Sequence, residues 1–237
     1  MIETSTEPTR DARTRLHRWI TRQVRRFPDL DLANVDVRGL EPRDQAFARA
    51  LEQVVIRRWL TLEAIAESRL SRSWTSLDPP VRAALLLGSA QILFMDSVPT
   101  HAAINETVSR LREDMHPGAA GLANAVLRAV ARLVGDTHNV HDDTADRRDT
   151  VPLSDGRTLA LTENVFSLDD VERLSQRTSH GEALLVHWIA AHGFEKTRFL
   201  AHHGLLVPPI TITGLHADAA AAAVAVDELA PHNAEGF

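Results

Sequence analysis

The fold is decided by residues 77–93, which read LDPPVRAALLLGSAQIL. Asp78 followed by Pro79 predicts the start of a helix, because aspartate is a common N-cap and proline is favoured at the first helical position. The helix that follows, predicted over Pro79–Met95, is apolar on most of its faces. A helix of this kind is buried at the centre of a bundle, so the segment predicts an all-α fold built around it.

Helical patterns flank this central segment on both sides. Apolar residues recur there at intervals of three and four, as they do on the buried face of a helix. Threonine and proline mark several starts, since threonine can cap a helix and proline is favoured in its first turn. The spans predicted in this way are Pro42–Arg58, Thr61–Leu70 with Thr61 as its cap, His101–Met115 with Thr100 as its cap, and a helix that Pro117 opens and that ends near Gly135.

The N-terminal helix, predicted over Pro8–Phe27, carries two different stripes. The apolar stripe consists of Leu16, Ile20, Val24 and Phe27, and the arginine stripe consists of Arg15, Arg18, Arg22 and Arg25. Like charges at these spacings repel and slightly destabilise a helix. A bound polyanion would relieve this cost, whereas an ordinary solvated face would carry it, and both interpretations are open at this point.

The composition changes at Asp136. Aspartates at positions 142, 143, 146 and 149 crowd an aperiodic polar stretch, which is typical of a solvated linker. Val151–Leu161 then alternates around Asp155-Gly156, a pattern that predicts a β-hairpin, and helical periodicity resumes near Leu168. We therefore predict a helical bundle over residues 10–135, an acidic linker with a small hairpin over 136–166 and a second, smaller, mainly helical region over 167–237.

Composition narrows the function classes. The chain of 237 residues is 44% hydrophobic, which is enough for a sizeable core. It has no cysteine, which excludes a disulfide framework, a thiolate metal site and a cysteine nucleophile. Residues 1–10 are polar and carry Glu3 and Glu7, so we expect them not to be a secretory signal, and no apolar run is long enough to span a membrane. We therefore expect a cytoplasmic protein with no membrane partner.

Charge is distributed unevenly between the two halves of the chain. Residues 1–135 hold 19 arginines and 16 acidic residues, whereas residues 136–237 hold 7 basic and 16 acidic residues. A basic half joined to an acidic half is typical of a module that binds a polyanion. A general preference for arginine would give the same pattern, since Lys196 is the only lysine.

Two motifs follow the central helix at a fixed spacing. The first contains Val98-Pro99, His101-Ala102-Ala103 and Asn105-Glu106, and the second, at residues 121–128, reads GLANAVLR. Upstream, Arg43-Asp44 precedes Phe47-Ala48. This order and spacing resemble the NusB family, and most closely the NusB-like N-terminal region of the RsmB or Sun type of 16S rRNA cytosine-5 methyltransferases, over roughly residues 10–135.

A weaker resemblance to these methyltransferases continues beyond residue 135. The frame of the segment that precedes their catalytic domain is kept at Ser179, Leu184, Trp188, Gly193-Phe194 and Pro208-Pro209. Gly181 and Ala183 replace the usual proline and tryptophan, and Thr213 stands where an arginine is usual. A stand-alone NusB protein would end near residue 135, so this region favours the methyltransferase branch.

The resemblance implies a NusB-like helical bundle that binds RNA and helps to position it for methylation. The implied partner is 16S rRNA or another structured RNA. An alternative within the family is a transcription antitermination factor, which binds leader RNA together with a ribosomal protein. A third hypothesis is a protein-interaction bundle without an RNA role. The arginines expected to contact RNA phosphates are Arg15, Arg18, Arg22, Arg25, Arg26, Arg57, Arg58 and Arg128.

Three motif residues have a more ordinary interpretation. Asn105, Glu106 and Asn124 occur among small apolar residues on predicted helices, so we expect them to form a buried structural network of helix-to-helix hydrogen bonds. The histidines are scattered and have no acidic or cysteine partners at ligand spacing. We therefore expect neither a metal site nor a catalytic group.

Catalysis of the kind that the resemblance implies needs parts that these residues do not supply. Such an enzyme binds S-adenosylmethionine at a glycine-rich strand-to-helix turn and attacks cytosine with a cysteine thiolate. The 237 residues contain neither a Gly-x-Gly-x-x-Gly motif nor a cysteine. We expect no cofactor in this chain, and S-adenosylmethionine only in a catalytic domain outside it.

The purified 237-residue chain should therefore transfer no methyl group from S-adenosylmethionine to rRNA. The measurement is incorporation of labelled methyl into small-subunit rRNA, with a complete methyltransferase of this type as the positive control. Incorporation above the background of RNA alone would contradict the prediction.

Overall fold

The computed structural model describes residues 12–31, 33–115, 117–138 and 147–207. The described part is mostly helical, as predicted, and has one small antiparallel sheet. None of its helices is both long and apolar enough to cross a lipid bilayer. The helices are α1 (Ala12–Arg26), α2 (Pro42–Arg57), α3 (Trp59–Glu67), α4 (Pro79–Phe94), α5 (Thr100–Asp114), α6 (Pro117–Leu133), α7 (Asp170–Thr178), α8 (Glu182–His192) and α9 (Phe194–His203), and the strands are β1 (Val134–His138), β2 (Thr150–Pro152) and β3 (Thr158–Leu161).

Helix α4 is the centre of the bundle, as its apolar sequence predicts. It packs against α1, α2, α3, α5 and α6. Leu85 and Leu86 are fully buried, and Ser89 and Gln91 are enclosed with them. Asp78 occupies the predicted N-cap position and proline the first turn, although the Asp78 side chain makes no capping hydrogen bond.

Helices α4 and α6 approach each other closely at Gly88. A Cβ atom on Gly88 would lie 2.6 and 2.7 Å from Cδ1 and Cδ2 of Leu127. Leu127 is itself fully buried. The absence of a side chain at position 88 therefore lets Leu127 rest on the backbone of α4.

Two predicted helix caps differ from the structure. α3 begins at Trp59, so Thr61 lies inside the helix and not at its cap. Thr61 is fully buried, and its hydroxyl donates to the carbonyl of Arg177, 3.4 Å away. The start of α3 is satisfied from outside instead, because the amide of Leu60 donates to Oγ of Ser179 at 2.9 Å. Thr100 is the first residue of α5 and not its cap.

The predicted hairpin is present and gains a third strand. β2 and β3 pair with Val151 opposite Leu159, and Gly156 in the turn has a φ of +84°. β1 pairs with the free edge of β3, which gives the order β1-β3-β2. Val134–His138 lacks the alternation of apolar and polar residues that is typical of a strand, so β1 was not predicted from the sequence.

The region predicted as an acidic linker is joined to the bundle through its described residues. Val151, Leu159, Leu161 and Phe166 all belong to the same apolar core as α1 to α6. The aspartates at 142, 143 and 146 lie outside the described residues, whereas Asp149 pairs with Arg147 at 2.9 Å. The hairpin is therefore an extension of the first core.

Helices α7 to α9 form a small cluster of their own around Leu174, Leu185 and Ala201. α7 packs on α3, and the buried Arg177 donates to the carbonyl and hydroxyl oxygens of Thr150 at 3.2 Å each. The rest of the predicted region, residues 208–237, lies outside the described residues. The first part of the predicted C-terminal region is thus mainly helical and held to the bundle.

The contact between Gly88 and Leu127 can be tested with two matched substitutions. Gly88→Ala should lower the free energy of unfolding by about 1 kcal/mol, because overpacking outweighs the gain in helix propensity. Gly121→Ala in α6 should raise it by up to about 1 kcal/mol, since its added methyl group would meet nothing within 4 Å beyond its chain neighbours and its own helix backbone. Urea denaturation measures both. Equal effects at the two positions would be inconsistent with the close packing described.

Candidate nucleic-acid interface

Helix α1 separates its apolar and cationic residues as the sequence predicts. Leu16 and Ile20 are fully buried against the bundle. Arg18, Arg22 and Arg25 are exposed on the other side of the helix. Within the described part of the chain, no hydrogen bond or ion pair engages these three guanidinium groups. The residues predicted at 8–11 of this helix lie outside the described residues.

A groove of about 660 Å³ runs between α1 and the loop that follows it. Four arginines and one aspartate supply its charged groups, so its net charge is positive. Trp19 and Val35 supply apolar wall. The lining residues are Arg15, Arg18, Trp19, Arg22, Val35, Asp36 and Arg38.

Arg15 fixes the loop to the helix. Its Nη1 donates to the carbonyl of Asp36 at 3.2 Å and to the carbonyl of Arg38 at 2.7 Å. Arg15 is therefore both a structural tie and one of the cations of the groove. Arg15 is therefore not simply a solvated charge, which was the alternative interpretation of the arginine stripe.

Asp36 and Arg38 form a rigid unit on the loop side of the groove. Nε and Nη2 of Arg38 donate to the two carboxylate oxygens of Asp36 at 2.9 and 2.8 Å. These bonds, and the bond from the amide of Arg38, lower the pKa of Asp36 well below its usual range. The same partner raises the pKa of Arg38. Both groups thus stay charged, and the carboxylate neutralises one cation of the groove.

Two buried polar side chains hold the loop from behind. The amide of Val35 donates to Oε1 of Glu52 at 2.6 Å, and the amide of Asp31 donates to Oε1 of Gln23 at 2.8 Å. Gln23 and Glu52 are almost completely enclosed. The groove is therefore shaped before any ligand arrives.

Arg25 and Arg26 continue the cationic surface to the end of α1. Arg26 is exposed, and its Nε donates to the carbonyl of Asp29 at 3.3 Å. Its Nη1 lies 3.7 Å from Asp31, so part of its charge is neutralised. Arg25 is the freer cation of the two.

The remaining predicted RNA contacts do not share this surface. Nη2 of Arg57 donates to the carbonyls of Gly204, Leu205 and Leu206 at 3.0, 3.2 and 3.4 Å. Arg58 is only 5% exposed and packs over the ring of Phe94 at 5.1 Å. Its burial, with the nearby charge of Arg57, lowers the pKa of Arg58 to about 10. A contact between Arg58 and a phosphate would require this part of the interior to open.

Arg128 lies in a separate concavity of about 440 Å³ between α5 and α6. It is exposed, and its Nε donates to Oδ1 of Asn124 at 3.1 Å. His101 and Asn105 line the same concavity. Polar residues of the two sequence motifs thus meet here, at the surface.

The expectation of a buried network of Asn105, Glu106 and Asn124 is wrong. Asn105 and Glu106 are exposed, and Asn124 is half-buried with Arg128 as its partner. The cause is helical geometry. The inward positions of α5 recur at intervals of three and four and are occupied by Ala103, Ile104, Thr107, Val108 and Leu111.

Four residues of the groove were not among the predicted RNA contacts, namely Trp19, Val35, Asp36 and Arg38. Trp19 is 5% exposed and had the helical spacing of a core residue. The pair at 36 and 38 carried a signal, since a charged pair two residues apart in a loop can form a local ion pair. Their meeting with α1 depends on the path of the loop, which spacing along the helix does not give.

Comparison with known proteins gives one family and several related enzymes. Residues 17–132, just under half of the chain, match the NusB family. The ribosomal RNA small subunit methyltransferase B of Pseudomonas syringae pv. tomato is 40% identical over 104 residues, which are 44% of this chain and 21% of that protein. A protein of the same name from Xanthomonas campestris pv. campestris is 35% identical over 92 residues, and one from Vibrio cholerae is 32% identical over 93 residues. Each match covers 39% of this chain and 21% of the relative. The chain therefore spans about a fifth of the length of these relatives.

The two roles of the arginines in α1 can be separated by stability measurements. Arg15→Gln should lower the free energy of unfolding by about 1 kcal/mol, because it removes two charge-assisted bonds to the loop. Arg18→Gln, one turn away, should leave stability unchanged or slightly higher, since it relieves repulsion between like charges. Urea denaturation distinguishes the two outcomes, and equal losses would mean that Arg15 does not hold the loop.

Proposed function

We propose that this chain, whose residues 17–132 match the NusB family, is the RNA-binding region of an rRNA cytosine-5 methyltransferase that positions small-subunit rRNA for methylation. The observation that carries the proposal is the preformed cationic groove beside α1. Exposed arginines on a rigid scaffold are the usual means by which proteins hold a phosphate backbone. The proposal assigns no cofactor to these residues.

In this proposal the phosphates lie along the arginine stripe. Arg18 and Arg22 are one helical turn apart, about 6 Å along the axis, and both are exposed at the groove. Their guanidinium groups are not engaged by other described residues, so binding would not have to break existing bonds. Contacts of this kind fix the register of the RNA and leave its sequence to be recognised elsewhere.

The methyltransferase branch is supported by two further observations. The relatives named above are rRNA methyltransferases. Described residues that follow the matched domain, 147–207, form a hairpin and three helices, of which α7 packs on α3 of the bundle. The alternative, an antitermination factor bound to leader RNA and a ribosomal protein, would use the same RNA-binding face on a different RNA.

The proposal predicts that the double variant Arg18→Gln/Arg22→Gln binds small-subunit rRNA fragments more weakly. Loss of two phosphate contacts should flatten the slope of log K against log salt by about 1.4 for single-stranded RNA. Thermal stability should stay level or rise, because like charges are removed. Fluorescence anisotropy at several salt concentrations measures the slope.

The control is the double variant Arg72→Gln/Arg132→Gln, which removes two exposed arginines, one from the loop after α3 and one from α6. It changes the net charge by the same amount and should leave the slope within error of the unmodified chain. If both pairs have the same effect, the attraction is general and the groove is not the site. Preference for a short leader RNA with a ribosomal protein over rRNA fragments would favour the antitermination alternative.

A further inference from the structure

Asp36 is an anion inside a groove whose other charged groups attract anions. Its carboxylate lines the same groove as Arg18 and Arg22, to which the proposed function assigns RNA phosphates. A carboxylate repels a phosphate, so Asp36 weakens the attraction of the groove unless it contacts a different part of the ligand. Its side chain is 55% exposed, which leaves it open to such a contact.

The carboxylate of Asp36 keeps one unused acceptor position. The two oxygens of a carboxylate have about four lone pairs in all. Oδ1 accepts from the amide of Arg38 at 3.0 Å and from its Nε at 2.9 Å, and Oδ2 accepts from its Nη2 at 2.8 Å. One lone pair of Oδ2 remains, and nothing in the described part of the chain donates to it. Asp36 can therefore accept one further hydrogen bond.

Arg38 places an unused donor next to this acceptor. Its Nε and Nη2 are directed at Asp36, whereas no group among the described residues accepts from its Nη1. The side chain of Arg38 is 90% exposed. The ion pair of Asp36 and Arg38 thus offers a ligand one acceptor and one cationic donor, side by side.

The loop that carries this ion pair is fixed before a ligand binds. Nη1 of Arg15 donates to the carbonyls of Asp36 and Arg38. The amide of Val35 donates to the buried carboxylate of Glu52. The bonds from Arg38 also hold the pKa of Asp36 well below its usual range, so the acceptor stays ionised. Groups that are already in place lose little conformational freedom on binding.

The sugar of RNA has the complementary arrangement. The 2′-hydroxyl of a ribose is on the carbon next to the one that carries the 3′-phosphate, so a hydrogen-bond donor lies beside an anion. DNA has the same phosphate without this donor. The 2′-hydroxyl is therefore the group by which a protein can distinguish RNA from DNA.

We propose that Oδ2 of Asp36 accepts a hydrogen bond from a ribose 2′-hydroxyl while Arg38 binds the phosphate next to it, so that the groove selects RNA over DNA. The inference rests on the proposed function and adds a residue that determines which nucleic acid the groove takes. Arg18 and Arg22 cannot make this distinction, since phosphate contacts are the same in both nucleic acids.

The test uses a small-subunit rRNA fragment that the unmodified chain binds, and the same fragment made with 2′-fluoro riboses. Fluorine favours the sugar conformation of RNA but cannot donate a hydrogen bond. The unmodified chain should bind the 2′-fluoro fragment about 10-fold more weakly, as expected for one hydrogen bond to a charged group. Asp36→Ala should bind the two fragments with nearly equal affinity.

The ratio of the two affinities isolates the hydrogen bond from the charge. If Asp36 acted through its charge alone, Asp36→Ala would strengthen binding of both fragments by the same factor and leave the ratio unchanged. A thermal melt reports folding. Asp36→Asn should give the same loss of preference if Asp36→Ala proves unstable, because its single carbonyl oxygen is needed by the amide of Arg38.

The matched control is Asp31→Ala in the same loop. Oδ1 of Asp31 accepts from the amide two residues later, that of Ala33, at 3.0 Å, just as Asp36 does from Arg38. Its Oδ2 also lies near an arginine, 3.7 Å from Nη1 of Arg26. Asp31 does not line the groove, so Asp31→Ala should keep the full preference for the unmodified RNA fragment.

The outcomes separate this inference from the proposed function. If the unmodified chain binds no RNA, both fail. If it binds RNA with a salt slope that depends on Arg18 and Arg22 but binds the 2′-fluoro fragment equally well, only the role of Asp36 is wrong. A preference for the ribose fragment that persists in Asp36→Ala would also overturn that role.

Discussion

Helix α4 is apolar on most of its faces, so the other helices must bury it away from solvent. Leu85 and Leu86 have no solvent contact, and five helices pack on α4 to achieve this. Helix α1 takes part through Leu16 and Ile20, which are also fully buried. This use of its apolar stripe fixes the rotation of α1 about its own axis, so the arginines on the opposite side are turned outward. The cationic surface is thus a geometric result of enclosing the central helix.

The groove beside α1 depends on polar contacts that hold a loop without regular structure. Arg15 binds it from the helix, and Glu52 and Gln23 bind it from the interior. Buried polar groups need partners, and here the loop amides supply them. The arrangement leaves a carboxylate, Asp36, inside a cationic groove. Its bond to Arg38 keeps that carboxylate ionised, so the groove attracts anions without being uniformly positive.

Local pattern predicted those elements whose burial follows from their own sequence. The apolar residues of Pro79–Phe94 and the two stripes of α1 needed no partner to be recognised, and Asp155-Gly156 marked its turn for the same reason. Long-range contacts were not predictable in this way. β1 exists because the edge of β3 is available, Arg57 is engaged by carbonyls 147 or more residues away, and Asn105 faces solvent because its neighbours fill the inward positions. The same division holds for the candidate site. Helical spacing predicted the arginine stripe of α1, whereas the loop residues of the groove could be placed only from the fold.

The bonds of Arg57 have a mechanical consequence. Its guanidinium group binds the carbonyls of Gly204, Leu205 and Leu206, close to the last described residue. These hydrogen bonds tie that part of the chain to α2. The segment from α7 to α9 is therefore held to the bundle at both ends, by the packing of α7 on α3 and by the bonds of Arg57 after α9. A pulling force on the residues after Leu206 would therefore reach the end of α2 through the hydrogen bonds of Arg57.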